Sequence, residues 1–406
     1  MRTFFYLTIA AVSLVFAGCS GGDNKPQETV IRFWHFWSEP NQRDAIQKLV
    51  QEFEQSHNVR VELTELSWSD GKTKLLAAFN SGSPPDVIEL GSDWVAQFSS
   101  AGVLLSLPLD SATLHRFDNR ILGTGMWDGR LYTLPWTIDT RVLYVNMNLL
   151  EKAGWKGAIS TLSDLQQCAE ALQDAGLVGF GTNGADAHRL YKKILPVMWT
   201  FGGEVLDSTG KPTINSPQNI QAFEYYAAMA RTGKIETQRQ LDAAFLQGTV
   251  GLWMSGSWLI DRIQATPSIN VQALPMPGVN GKPGISFAGG EYLAVSASTG
   301  NTQRSRELVQ FLTSADKALA LCTSINEAGF PADKATMHND ALINKPMKKV
   351  FADQLLHARM TPVHPRWLDI EEALENALVR VLLGEATAQQ ALTEAQDEVV
   401  RFTQSR

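Results

Sequence analysis

A chain of 406 residues exceeds what one hydrophobic core usually organises, so two lobes of roughly 150–200 residues are expected. The composition, 44% hydrophobic and 19% charged, is that of a folded globular protein. A net charge of -7 argues against a nucleic-acid partner, which needs a basic face.

Arg2 precedes an apolar run over residues 4–17, too short to span a bilayer, and residues 1–18 read as a signal peptide. The run ends in Ala17-Gly18-Cys19-Ser20, which has the look of a bacterial lipobox with Cys19 as the lipidated first residue. Residues 19–28, CSGGDNKPQE, are polar and glycine-containing, a tether between lipid and folded domain. An exported protein is expected, in the periplasm or at the cell surface, held to a membrane by that lipid.

Residues 30–37, VIRFWHFW, are nearly all apolar, as a strand buried on both faces should be. Pro40-Asn41 opens a helix with Asn41 as its cap and Ile46, Leu49, Val50 and Phe53 as its apolar stripe. Residues 59–63 alternate as a strand, 70–79 read as a helix, 86–90 as a third strand, and a helix follows around 94–98. Strand–helix alternation is the grammar of a doubly wound parallel sheet, whose ligands bind beyond the carboxyl ends of the strands. The segments there are Trp37-Ser38-Glu39, Trp68-Ser69-Asp70 and Ser92-Asp93-Trp94, each a Trp beside an acid or a hydroxyl.

Residues 129–146, GRLYTLPWTIDTRVLYVN, follow an Asp-Gly turn signal at Asp128. Two β-rich runs, 131–134 and 142–145, are joined by PWTIDT, and Pro135 stops the first because it cannot donate to a ladder. That leaves Trp136 and Asp139 on an extended link where a ring and a carboxylate can face a cleft. The other reading is a hairpin corner with one buried Trp and one turn Asp.

A second lobe begins at residue 143. Thr161 with Asp164 caps a helix through Leu172, and Cys168 on its apolar face is expected as a buried small hydrophobe. A Cys168–Cys322 disulfide stays open, since two cysteines alone do not establish one. Residues 188–199 are helical in pattern, Ser216-Pro217 starts another helix, and residues 245–253 run from a helix end into a strand followed by Gly256-Ser257-Trp258. Residues 179–184 spell G-x-G-x-x-G, but no second strand ends in the acid a dinucleotide site requires. No H-E-x-x-H or G-x-S-x-G occurs, so neither a metal, a cofactor nor a catalytic residue is expected. Ile370, Leu374, Ala377 and Leu378 stripe a late helix stopped at Gly384, and Thr387 with Gln390 caps the last one.

Eleven tryptophans are the loudest compositional signal. Trp34, Trp155 and Trp253 lie in apolar runs or helix junctions and are expected in the core. Trp37, Trp68, Trp94, Trp136, Trp199, Trp258 and Trp367 stand in loops or at element ends. Sugars suit such a site, because their C–H faces stack on rings while carboxylates and Arg hold their hydroxyls. A buried polar group left unpaired costs about 1–3 kcal/mol, so a site of this kind rejects the wrong epimer.

The phrases GRLYTLPW, DTRVLYVN and LLEKAG, in that order and spacing, resemble the interdomain crossover of the carbohydrate-binding proteins of ABC importers, the maltose-binding-protein-like group. The resemblance extends over nearly the whole chain after residue 28. It implies a two-lobed α/β periplasmic-binding-protein fold of type II, each lobe a doubly wound sheet flanked by helices, joined by a multi-strand hinge. Residues 29–139 and 287–330 would form the N-terminal lobe, and 140–286 and 331–406 the C-terminal one. It further implies acidic sugar ligands at Asp93 and Asp139, a stacking ring at Trp258, contacts at Gly290 and Glu291, and further contacts near Arg366 and Trp367. Many relatives place an aromatic where this chain has Glu291, so a hydroxyl contact is expected there instead of stacking.

The function implied is that of a monomeric substrate-binding lipoprotein. It captures a di- or oligosaccharide between its lobes and delivers it to the membrane permease. The alternatives are another solute, glycerol phosphate or a polyamine, or a surface glycoside hydrolase using Asp93 and Asp139 as paired acids. A phosphate ligand would ask for helix N-termini with Arg or Lys in the cleft.

Overall fold

The computed structural model describes residues 29–404; residues 1–28, with the segments read above as signal peptide and tether and with Cys19, lie outside them. The first lobe is built on a five-stranded sheet in the order Arg60–Glu65, Val30–His35, Val87–Gly91, Glu291–Val295, Thr133–Pro135. The first three strands run parallel, and Glu291–Val295 returns antiparallel between its two neighbours. Val87–Gly91 is buried at every position, which a central strand covered by helices on both faces demands. Those helices include Pro40–His57, Gly71–Asn80 and Val95–Ser100.

The cap of the first helix is one residue pair earlier than the sequence suggested. Glu39 is the cap and Pro40 enters the first turn, where its missing N–H is one that no helix would satisfy anyway. The Glu39 N–H instead donates to Gln42 Oε1 at 3.1 Å. The expected stripe of Ile46, Leu49, Val50 and Phe53 is buried.

The second lobe has a sheet in the order Lys234–Glu236, Val178–Asn183, Val250–Ser255, Val142–Asn146, Val271–Leu274. The G-x-G-x-x-G segment is thus part of a strand, and its glycines serve packing. A Cβ on Gly179 would lie 2.5 Å from the Ala169 carbonyl, and one on Gly181 would lie 3.1 Å from the Trp253 ring. Trp253 is fully buried as expected, whereas Trp34 and Trp155 are only partly so, and the Trp155 indole donates to Gly157 O at 2.8 Å. Both Cys168 and Cys322 are free and buried, the first in the second-lobe core and the second in a cluster that reaches across the hinge.

A third sheet joins the lobes, in the order Phe330–Pro331, Thr137–Thr140, Ser286–Gly289, Ala358–Arg359. The supposed link after Pro135 is therefore a strand itself, rich in β-branched residues and paired with partners far along the chain. Its apolar packing is continuous with both lobes, since one cluster runs from Phe33 and Trp136 through Tyr144 to Trp253.

Candidate functional site

Side chains alternate along a strand, so the crossover sheet has two distinct faces. Asp139 pairs with Gly289 and Thr140 with Ala288, which puts Asp139, Arg141 and Phe287 on one face and Ile138 and Ala288 on the other. On the first face Arg141 Nη1 donates to Asp139 Oδ2 at 3.0 Å. The same guanidinium lies 4.5 Å from the centre of the Trp258 ring and 5.6 Å from that of Phe287.

Trp258 reaches this position because the chain turns at Gly256, where any Cβ would lie 2.0 Å from the indole. Its Nε1 donates to Asp242 Oδ2 at 3.0 Å. Asp242 also accepts from Trp253, Gln238 and Ser255, so its carboxylate is fixed from several sides and fixes the ring in turn. Glu291 completes this group. Thr137 Oγ1 donates to its Oε2 at 2.6 Å, and desolvation raises its carboxyl above the ordinary range.

A second group forms where the lobes meet. Trp68 stacks on Phe36 at 4.2 Å, Trp94 lies 5.6 Å from Trp68, and Lys72 sits 5.4 Å over Trp94. Trp68 is 42% exposed, so one ring face is open. From the other lobe, Tyr191 donates its hydroxyl to Asp93 Oδ2 at 3.0 Å, and Leu368 packs on the Phe36–Trp94 cluster. Behind Tyr191, Glu371 is wholly buried and bonded to His188 Nδ1 at 2.7 Å. Burial pushes Glu371 up to about 7, and the carboxylate raises His188 above its ordinary value. Glu375 accepts the backbone N–H groups of His188 and Tyr191, at 2.7 and 3.0 Å. Lys192, over the rings of Tyr191 and Phe287, connects the two groups.

Of the residues singled out in the sequence, Trp68, Asp93, Trp94, Asp139, Trp258 and Glu291 fall in these two groups. The others stand elsewhere. Trp136 is wholly buried and Trp37 nearly so, packed edge to face at 6.3 Å, each with an indole N–H that has no protein partner among the described residues. Ser38 is half-buried, and Glu39 is exposed at its helix cap. Gly290 contributes backbone, its carbonyl accepting from Ser92 N–H at 2.9 Å.

Trp199 shares the helix Tyr191–Thr200 with Tyr191 but lies eight residues on, about 12 Å along the axis. It is buried there under Arg359, which pairs with Glu204. Arg366 faces outward, paired with Asp369 at 2.6 Å and covering Phe402. Trp367 is buried and supports the Tyr191 ring edge-on at 5.7 Å.

Lys72, Arg141, His188, Tyr191, Lys192 and Glu371 went unnoticed in the sequence. Two signals could have found some of them. Arg141 is two residues after Asp139 on a β-rich run, hence on its face. Glu371 and Glu375 are one helical turn apart, flanking the apolar stripe of Ile370 and Leu374. Among the described residues no three or more His, Cys, Asp or Glu side chains are grouped to hold a metal. Chemically, the arrangement offers flat rings beside fixed carboxylates and cations, with Asp139 Oδ1 and Glu371 Oε2 buried and unpartnered among the described residues.

Residues 39–318 match the family model described as bacterial extracellular solute-binding protein. The galactooligosaccharide-binding protein of Bacillus subtilis is 24% identical, over 96% of this chain and 94% of its own. The diacetylchitobiose binding protein DasA of Streptomyces coelicolor is 23% identical, over 92% and 89%. Among solved structures, the GacH receptor of Streptomyces glaucescens superposes with a TM-score of 0.81 at 22% identity, covering 92% of this chain and 98% of that one. A cyclo/maltodextrin-binding protein, solved with maltotetraose, gives 0.77 at 23%, covering 94% and 99%. The fold is therefore the two-lobed type II periplasmic-binding-protein fold. The matched span takes in Trp68, Asp93, Trp94, Asp139, Arg141, Tyr191, Trp258 and Glu291, whereas Phe36 and Glu371 lie outside it. The chain belongs to the bacterial extracellular solute-binding proteins.

Proposed function

We propose that this protein is the substrate-binding subunit of an ABC-type carbohydrate importer. It takes up a di- or oligosaccharide between its lobes and hands it to the membrane permease, anchored through a lipid on Cys19. The observation that carries this reading is the presence, in each group, of a ring and an unpartnered buried acceptor: the 42% exposed Trp68 stands in the group that ends in Glu371 Oε2, and Trp258 shares the Arg141 guanidinium with Asp139, whose Oδ1 has no partner among the described residues. Rings take the C–H faces of a sugar, and the acceptors take its hydroxyls. Relatives named for galactooligosaccharide and diacetylchitobiose binding support the same class. The function is capture without catalysis, with Asp139 held by Arg141 and Asp93 by Tyr191.

A thermal-shift panel of saccharides, with glycerol phosphate and spermidine beside them, tests the proposal. A ligand at a hundred times its dissociation constant adds about 2.7 kcal/mol of stability. The stabilising sugar should then bind Trp258→Ala ten- to a hundredfold more weakly, at about 1.4 kcal/mol per tenfold. Stabilisation by the phosphate or the polyamine alone would reject the carbohydrate assignment, and turnover of the bound sugar would reject capture.

A further inference from the structure

Behind the crossover sheet, on the face away from Asp139 and Arg141, lies a cavity of about 230 Å³. Strand alternation places it: Ile138 points backward because Asp139 points forward, and Ala288 and Ala358 stand beside it on the neighbouring strands. Ile121 of the helix Asn119–Thr124 supplies a first-lobe wall. Leu356, at the end of Pro346–Leu355, supplies the opposite lip and is 61% exposed.

The chamber is larger than the roughly 150 Å³ void that stays dry and admits benzene, and smaller than the about 300 Å³ at which drug-sized pockets begin. An occupant must therefore be of fragment size and mainly apolar. The mouth adds a charge requirement. Lys334 and His338 stand there with Asp118 and Arg120. The single carboxylate, Asp118, is already paired with Arg120 at 3.1 Å, and Lys334 adds a further positive charge beside it. A neutral apolar molecule leaves that charge unused, and a cation is repelled by it.

We propose that this cavity is a second ligand site, separate from the cleft, for a small amphipathic monocarboxylate whose apolar body fills the chamber and whose carboxylate meets Lys334. Its walls come from both lobes and from the strands between them, so occupation is linked to the angle of the lobes. The assignment does not depend on what the cleft binds.

Calorimetric titration of the purified protein with octanoate, and with octanol as the uncharged match, tests it. Octanoate should saturate and bind more tightly than octanol by about two- to fivefold, the range of one solvent-exposed ion pair. Lys334→Gln should bring octanoate down to the octanol level, and Leu356→Asp should weaken both by about tenfold, as lost apolar cover requires. Both positions are exposed, so both variants should melt with the parent. No saturable octanoate binding, equal binding of octanol, or parental binding in both variants would overturn the site. Scattering at saturating octanoate should show a changed radius of gyration, and a constant value would overturn the link to the lobes.

Discussion

The carboxyl of Glu371 is wholly buried, gives one oxygen to His188, and is pushed up to about 7 by that burial. An unfolded chain releases this proton near 4.5, so between those values the folded protein holds a proton that the unfolded one has lost. Stability must then fall as pH rises through the window. His188, raised by the same carboxylate, acts in the same direction: its contribution is complete below 6.5 and lost above that as the folded form deprotonates. At about 1.4 kcal/mol per pH unit, the Glu371 share is on the order of 3 kcal/mol. Glu371→Gln keeps the shape and an acceptor for His188 but removes the titration. Its melting temperature should vary less between pH 5 and 8 than the parent's, and an equal slope would place the titrating group elsewhere. Asp93 and Trp258 stand out in the sequence because each sits just past a strand, in a segment whose position is set locally, and Asp139 because it lies close after Pro135 and Trp136. Glu371 does not. Its helix has charged residues on several flanks, and only packing against the helix Tyr191–Thr200 and the His188 segment before it, far along the chain, decides which flank is buried.

Pairing over long sequence distance sets the limit at the scale of elements. The strands and helices over residues 30–98 were legible, because apolar periodicity and turn residues act within a few positions of each other. The strand Thr137–Thr140 was read as a link, since four residues are too few to show alternation and its partner Ser286–Gly289 lies far along the chain. Pro135 does end its own strand, as expected, yet the chain continues straight into the next sheet. Trp136 N–H bonds Glu291 O and Trp136 O accepts from Ala332 N–H, and the ring is buried, as one of the two readings of this segment had it and against its place among the expected cleft residues. The close approach of these strands is concentrated at Gly290, where a Cβ would lie 2.0 Å from the Thr137 carbonyl oxygen. Backbone cannot swing aside as a flexible side chain can. Gly290→Ala should therefore cost about 1–3 kcal/mol, the usual penalty for overpacking. At roughly 2–4 °C per kcal/mol for a lobe of this size, the melting temperature should fall by several degrees. A parental melting temperature would show that the crossing is looser than this geometry.

Across the whole molecule, Tyr191 makes a contact between the lobes whose role can be isolated. Its ring is wholly buried in the second lobe, edge-on to Phe287 at 5.9 Å and to Trp367 at 5.7 Å. Only the hydroxyl crosses to Asp93 of the first lobe. Two rigid bodies on a multi-strand hinge exchange between open and closed arrangements, and a ligand shifts that exchange only by its preference for one of them. A bond formed only when the lobes are together belongs to the closed side of the balance. A hydrogen bond to a charged group contributes about 1.5–3 kcal/mol, so removing it should weaken cleft binding by ten- to a hundredfold. Tyr191→Phe makes that removal while leaving the ring packing intact. The ligand-free variant should therefore keep a near-parental melting temperature while its radius of gyration equals or exceeds the parent's. At saturation both should reach the same compact value, because a ligand held as proposed still bridges the lobes. A variant that binds and scatters as the parent does would make the Tyr191–Asp93 contact incidental to closure. A variant that melts far lower would make Tyr191 part of the second-lobe scaffold, with its hydroxyl needed whether the cleft is open or shut.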